Sequence, residues 1–228
     1  MNKVQIFPVT FYKIPVEDNE IVKKILVPKI MEVTANLPVP EGWLTNKIMT
    51  SFDGEESGKE IFYGEDKIYD SFLEERYAKC FDCIFGNSKY QISINEIWAN
   101  CYIDGEFQEE HDHLSGINAT KSSPHFSCIH FLSFDPIRHK PVKLYDPIRQ
   151  IRSTSYELNI HEYSDSYSPN IEEGDFIMFP SYLRHSVPPS LKTLDYPRIT
   201  ISMNMSILEC EHQMNNFDWK NKQNGYHK

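Results

Sequence analysis

The chain lacks any stretch approaching the ~18 apolar residues needed to span a bilayer. Its opening, MNKVQIFPVTFYKIPVEDNE, has no long apolar run of the kind a secretory leader needs. No internal repeat or low-complexity segment is visible. These absences point to a cytoplasmic protein, and they make the sequons at Asn118 and Asn204 chance matches. Basic excess is also missing. The net charge is −10, and acidic pairs such as Glu55–Glu56, Glu74–Glu75, Glu109–Glu110 and Glu172–Glu173 are spread along the chain. With no basic stripe to neutralise phosphates, a nucleic-acid binder is not expected. A disulfide framework is absent too. The five cysteines, Cys80, Cys83, Cys101, Cys128 and Cys210, are odd in number and irregularly spaced. Cys80-Phe-Asp-Cys83 falls late in a predicted helix, not at a helix start where a thiolate is stabilised. No second pair completes a zinc site. The cysteines therefore read as buried thiols.

What is present describes an ordinary folded protein. Of 228 residues, 40% are hydrophobic and 25% charged, which suits one large β-rich domain. Aromatics favour strands, and Phe (14) and Tyr (13) are plentiful. A strand is expected over Val4–Val16. A helix follows between Glu20 and Leu37, with Val22, Ile25, Leu26, Ile30 and Met31 on one face and Pro28 kinking or splitting it. Trp43–Phe62 reads as loop plus short strand. Helical spacing of Ile68, Phe72, Leu73, Tyr77, Cys80, Phe81, Ile84 and Phe85 predicts a second helix over Asp66–Phe85, closed by Gly86-Asn87-Ser88. Strands are then expected at Tyr90–Ile97, Trp98–Ile103, Phe126–Phe134, Val142–Tyr145, Ser155–Ile160, Asp175–Phe179, His185–Val187 and Arg198–Ile207. Two helices followed by about eight short strands suggest a mainly β fold with flanking helices, a sandwich or jelly roll. The organisation expected is a single domain, 1–228. It has a helical support region 1–89, a β core 90–208 and a polar tail 209–228.

The chemistry gathers on histidine. His111 and His113 lie two apart, so in extended backbone they point to the same face while Asp112 points away. His185 follows a hydrophobic strand and the turn at Pro180, which can deliver a remote third ligand. Two near ligands and one distant ligand form a facial triad that leaves three metal positions open. Arg198 sits on an otherwise apolar strand and needs an anionic partner. The far carboxylate of a dicarboxylate would suit its planar fork. A salt bridge to one of the many acids is the alternative. Thr200 shares its face. Asn100 and Tyr102 share another strand face and could bind a cosubstrate or fill the core. His125, His139, His161, His212 and His227 read as solvated or structural.

The pattern Asn100-x-Tyr102-x-x-Gly105-x5-His111, then His185, then Arg198-x-Thr200, resembles the 2-oxoglutarate/Fe(II)-dependent dioxygenases. Cys128-Ile-His-Phe-Leu132 is similar to a strand of the prolyl hydroxylases. Over most of the chain, including Ile6-Phe-Pro8 and Trp43-Leu-Thr-Asn-Lys, the frame resembles the 2-oxoglutarate oxygenases of marine phages and bacteria; in a phage protein the compartment would be the host cytoplasm. The resemblance implies a double-stranded β-helix, Fe(II) on His111, His113 and His185, and 2-oxoglutarate and O2 as cosubstrates. Arg198, Thr200, Asn100 and Tyr102 would contact the 2-oxoglutarate. It implies hydroxylation of a small-molecule or peptidyl substrate, with Trp43, Lys121 and the loops Trp43–Ser51 and Leu114–His125 as substrate-contact candidates. Most of the superfamily has Asp where His113 stands, so weaker Fe(II) affinity is expected. His130 and Phe131 replace a tyrosine pair, which removes a hydroxyl that often helps hold the far carboxylate. The first cupin motif also fits Gly105-x5-His111-x-His113. A cupin-like three-histidine metalloenzyme that ignores 2-oxoglutarate, or a non-catalytic β-helix module, therefore remains open.

Overall fold

The computed structural model describes residues 9–41, 43–44, 48–52, 61–64, 67–86, 89–114, 123–152, 164–190 and 195–211. Several expectations lie outside these residues: the strands at 4–8 and Ser155–Ile160, Lys121, the tail beyond 211, and His161, His212 and His227. Ten strands are described: β1 (Tyr12–Pro15), β2 (Met49–Thr50), β3 (Lys89–Tyr102), β4 (Gln108–His111), β5 (Phe126–Ser133), β6 (Lys143–Tyr145), β7 (Ser166–Tyr167), β8 (Asp175–Pro180), β9 (His185–Val187) and β10 (Arg198–Glu211). They form a six-stranded sheet, order β1-β8-β5-β10-β3-β2, and a four-stranded sheet, order β4-β9-β6-β7. Every pairing is antiparallel. The result is a jelly roll with helices α1 (Asn19–Thr34) and α2 (Glu74–Phe85) packed on the outer face of the larger sheet. No described helix is long and apolar enough to cross a membrane.

Helix α1 buries Val22, Leu26, Ile30 and Thr34, a strict i, i+4 stripe. Ile25, expected on that face, is exposed because it lies about 100° round the helix from Leu26. Pro28 neither splits nor ends the helix. Both Pro28 and Lys24 are exposed, so the Lys24 carbonyl that loses its intrahelical partner can meet water. Helix α2 begins after a wide π turn, Tyr69–Leu73, and buries Tyr77, Cys80 and Phe81. Cys83 is exposed, contrary to expectation, while Cys80, Cys101 and Cys128 are buried.

The strands expected at Tyr90–Ile97 and Trp98–Ile103 are one strand, β3. Its alternation changes parity partway, which is why the run looks like two. Ile92 and Ile94 pack toward the helices, and then Ile97, Ala99 and Cys101 do. The register explains the switch: Met205 opposes Ile94 but Asn204 opposes Glu96, leaving Asn95 as an extra residue. Such a bulge shifts the face of everything beyond it by one residue.

Beyond the bulge the two faces of the β3–β10 pair are chemically distinct. Toward the helices stand Ile97, Ala99 and Cys101 opposite Met203, Ile201 and Ile199. Toward the interior of the roll stand Glu96, Trp98, Asn100 and Tyr102 opposite Asn204, Ser202, Thr200 and Arg198. A second, smaller core fills the space between the sheets, built on Phe131, Ile177, Phe179 and Leu144.

Candidate active site

Gly105, at φ +76°, makes the turn that carries the chain from β3 into β4 of the smaller sheet. Glu106 fixes that turn by accepting hydrogen bonds from the backbone N–H of Ile103 and Asp104 at 2.7 and 2.6 Å. At the end of β4, His111 pairs directly with His185 at the start of β9. His113 follows two residues on, anchored by its own N–H to the Ser181 carbonyl. The three rings converge: centroids are 4.3 Å apart for His111–His185, 4.9 Å for His113–His185 and 5.1 Å for His111–His113. One ring nitrogen from each lies within 4.8 Å of the others, a set able to hold a metal ion. Glu110 turns the opposite way, to Arg149 at 2.7 Å and Arg184 at 2.6 Å. Asp112 is 3.8 Å from Arg184. That is the separation of faces expected in extended backbone.

The tautomers follow from acceptor-only partners. His111 Nδ1 donates to the Glu109 carbonyl (2.8 Å), and His185 Nδ1 to the Leu183 carbonyl (3.0 Å). His113 Nδ1 donates to Asn204 Oδ1 (2.5 Å), with Ser127 Oγ also 2.9 Å away. Asn204 is itself oriented, because its Nδ2 donates to Glu96 Oε2 at 2.6 Å. With every Nδ1 carrying its proton, each Nε2 lone pair is left for a metal. Burial lowers the pKa of His111, takes His113 to about 4, and holds His185 well below its ordinary value with help from the two neighbouring rings. All three are neutral at pH 7, the state metal ligation requires.

Arg198 lies below this cluster. It is 1% exposed, and its Nε and Nη1 have no hydrogen-bond partner. Its guanidinium stacks 4.6 Å from the Tyr102 ring centroid and 5.6 Å from that of Phe131. The Tyr102 hydroxyl is its polar neighbour; burial pushes that phenol up to about 12 while Arg198 pulls it down. A narrow cavity of about 20 Å³ is shared by the three histidines, Arg198, Thr200 and Tyr102. A buried cation with two idle donors beside a three-nitrogen metal set fits a metal-chelating dicarboxylate. At this width the lining side chains must part to admit one.

Asn100 lines the same cavity, but its amide is engaged: Thr50 Oγ1 donates to Oδ1 (2.7 Å), and Nδ2 is 3.4 Å from Ser202 Oγ. His130 and Phe131, standing in the tyrosine-pair positions, face opposite ways. Phe131 lies under Arg198, whereas His130 points to the helices, bonded to Tyr77 (3.0 Å) and Asn19 (2.9 Å). The only hydroxyl available to the guanidinium from an aromatic ring among the described residues comes from Tyr102, across the sheet on β3. His139, read as solvated or structural, is a structural loop histidine: it is buried, with Nδ1 accepting from the Asp135 N–H and Nε2 against the Tyr196 carbonyl. Asn204 is 6% exposed and tied to His113, so its sequon is inaccessible. Glu96, Ser127 and Asn204 were not singled out as site residues from sequence. The even spacing from Arg198 to Asn204 carried the signal, because it puts both on one strand face.

Above the histidines opens a cleft of about 900 Å³, walled by Trp43, Phe52, Trp98, Glu96, Glu109 and Leu114 among others. Trp43, a substrate-contact candidate, is on its wall; Lys121 and most of the Leu114–His125 loop fall outside the described residues.

Fold and site together define a class, the jelly-roll oxygenases that hold a metal and a dicarboxylate cosubstrate between two sheets. Residues 96–204, the stretch that carries the three histidines and Arg198, match the family described as "Putative 2OG-Fe(II) oxygenase". No curated protein matches the chain by sequence. Among solved structures it is similar to a Pseudomonas putida prolyl-4-hydroxylase, at 12% identity and TM-score 0.51 over 87% of this chain and 92% of that one. It is also similar to HygX from Streptomyces hygroscopicus, with nickel and 2-oxoglutarate bound, at 11% identity and TM-score 0.54 over 87% and 83%. A third is a Trichoplax adhaerens prolyl hydroxylase in complex with a hypoxia inducible factor peptide fragment, at 14% identity and TM-score 0.51 over 86% and 83%. At these identities the structural likeness carries the fold.

Proposed function

We propose that this dioxygenase is a hydroxylase in which His111, His113 and His185 hold Fe(II), and Arg198 with Tyr102 and Thr200 binds the far carboxylate of 2-oxoglutarate. The observation that carries this reading is the fully buried Arg198 guanidinium, with two unpartnered nitrogens, in one cavity with three metal-competent imidazoles. When bound, the metal and cosubstrate supply the oxidising power, coupling O2 and decarboxylation to succinate with oxidation of a substrate C–H bond. The chain's own residues do the positioning. Backbone carbonyls and Asn204 hold the three Nε2 lone pairs toward one point. Phe131 and the ring of Tyr102 sandwich the guanidinium and exclude water, which strengthens its pairing with a carboxylate. Asn100 supports this wall through Thr50 and Ser202 more than it reaches into the cavity. The 900 Å³ cleft suits a small-molecule or peptidyl substrate. The reading of the chain as one domain is supported by the described residues, in which α1 and α2 complete the core on which β3 and β10 stand.

The test is a thermal-shift titration with Mn(II), with and without 2-oxoglutarate. Synergistic stabilisation is expected. Stabilisation by the metal alone would favour a three-histidine metalloenzyme of the cupin kind, and no stabilisation would leave a binding module.

A further inference from the structure

Resting on the hydroxylase reading of the site, we infer that the cleft above the histidines selects an organic cation, a substrate bearing an ammonium or guanidinium group. Among the described residues, Glu96, Glu109 and Asp112 line the cleft, and no lysine or arginine does. Two of those acids are already occupied: Glu96 receives the Asn204 amide, and Asp112 faces Arg184 and the Leu114 N–H. Glu109 is different. Its Oε1 accepts the backbone N–H of Leu44 at 3.1 Å, which ties the neighbouring Trp43 to the cleft wall. Its Oε2 is shielded from solvent and has no partner. A shielded carboxylate oxygen without a donor is costly until one arrives.

The aromatic wall points the same way. Trp43 stacks on Phe52 (5.7 Å, 23°), and Phe52 meets Trp98 edge-on (5.1 Å). Trp98 in turn lies 5.8 Å from the His113 ring, so this aromatic series runs from the cleft mouth to the metal set. Electron-rich faces beside a free carboxylate are what a cationic group with an apolar stem prefers. Trp98 adds a second demand. It is 5% exposed, lines both the cleft and the inner cavity, and its indole N–H has no acceptor. The ligand therefore carries an accepting oxygen near its cationic arm, as an amino-acid residue with a basic side chain does.

The experiment uses the full chain loaded with Mn(II) and 2-oxoglutarate. Nα-acetyl-arginine methylamide is titrated against its neutral isostere Nα-acetyl-citrulline methylamide and against Nα-acetyl-glutamate methylamide, following tryptophan fluorescence. The arginine probe should bind at least about tenfold more tightly than either. Glu109→Gln, which keeps an oxygen for the Leu44 N–H, should bring arginine and citrulline to within about threefold. Should that variant not fold, Trp43→Leu is the substitute, and it should weaken the arginine probe more than the citrulline one. Equal or weaker binding of the arginine probe, absence of its binding, or a preference that survives Glu109→Gln would overturn the inference. Failure of the underlying hydroxylase reading is seen separately, as loss of the 2-oxoglutarate-dependent part of Mn(II) stabilisation in the unaltered protein before any probe is added.

Discussion

The β3–β10 pair has two faces built from alternate residues of the same strands, and they obey opposite rules. On the helix side, Ile199, Ile201 and Met203 pack against Cys101, Ala99 and Ile97 with no polar atom to satisfy. Burial of this kind is the main favourable term in folding. On the inner side, Arg198, Thr200, Ser202 and Asn204 are just as buried, yet two Arg198 nitrogens and the Trp98 indole N–H go without partners. The inner face gives up stability by leaving these buried donors unsatisfied, as the proposed cosubstrate site requires. One strand can do both because side chains alternate strictly beyond the bulge.

The comparison can be broken most severely at the histidines. His111→Ala or His185→Ala should abolish iron-dependent succinate formation while leaving metal-free unfolding nearly unchanged; undiminished turnover would refute their role. Arg198→Met comes next. It should raise the 2-oxoglutarate requirement about 10²–10³-fold, the scale of losing one partner of a buried ion pair. The metal-free, cosubstrate-free protein should be no less stable than wild type, because an apolar chain replaces an unpartnered cation. A large drop in its melting temperature would show that Arg198 is structural instead.

Neighbours on β10 sharpen the contrast. Ile201→Ala should cost about 2–5 kcal/mol of stability by opening a cavity on the helix face. Thr200→Ala, one residue away, should cost less than about 1 kcal/mol and weaken 2-oxoglutarate binding. Denaturant titration of both variants decides it, and equal losses would mean the two faces share one role. Asn204→Leu should lower metal affinity about 10–100-fold without removing a ligand, by freeing the His113 ring from its acceptor. Calorimetric titration with Mn(II) reads this directly, and unchanged affinity would disprove the orienting role.

The smallest effect concerns His130, which lies on the helix face. Burial lowers its pKa to about 3, and both ring nitrogens are satisfied in the neutral form by Tyr77 and Asn19. Between its folded value and the ordinary value near 6.5, the unfolded chain binds the extra proton. Stability is therefore full above about pH 6.5 and falls as the pH drops toward 3. In His130→Gln the decline between pH 7 and pH 5 should be shallower in chemical denaturation; an unchanged slope would assign it to other groups.

Much of this was legible along the chain. The stripe from Ile68 to Phe85 gave α2, because helical periodicity is local. The pair His111 and His113, with His185 beyond Pro180, marked the three-imidazole cluster, because extended backbone puts alternate residues on one face. Other features were not legible. Ile25 and Cys83 look like core residues and face outward. The split of β3 came from a bulge that alternation alone reads as a strand end. His130 and Phe131 looked like one lost tyrosine pair, but only Phe131 faces Arg198.

The sequence by itself determined most element types and marked the three imidazoles and Arg198 as candidates, since each follows from residue chemistry and local spacing. Tertiary structure alone decided that Tyr102 supplies the hydroxyl beside Arg198, that Asn204 orients His113, and that Glu109 reaches the cleft with a free oxygen. Those facts depend on which residue stands opposite which across β3, β10, β4 and β9. Strand register is set by bulges and turns far apart in the chain, and local periodicity reports a period without naming its partner.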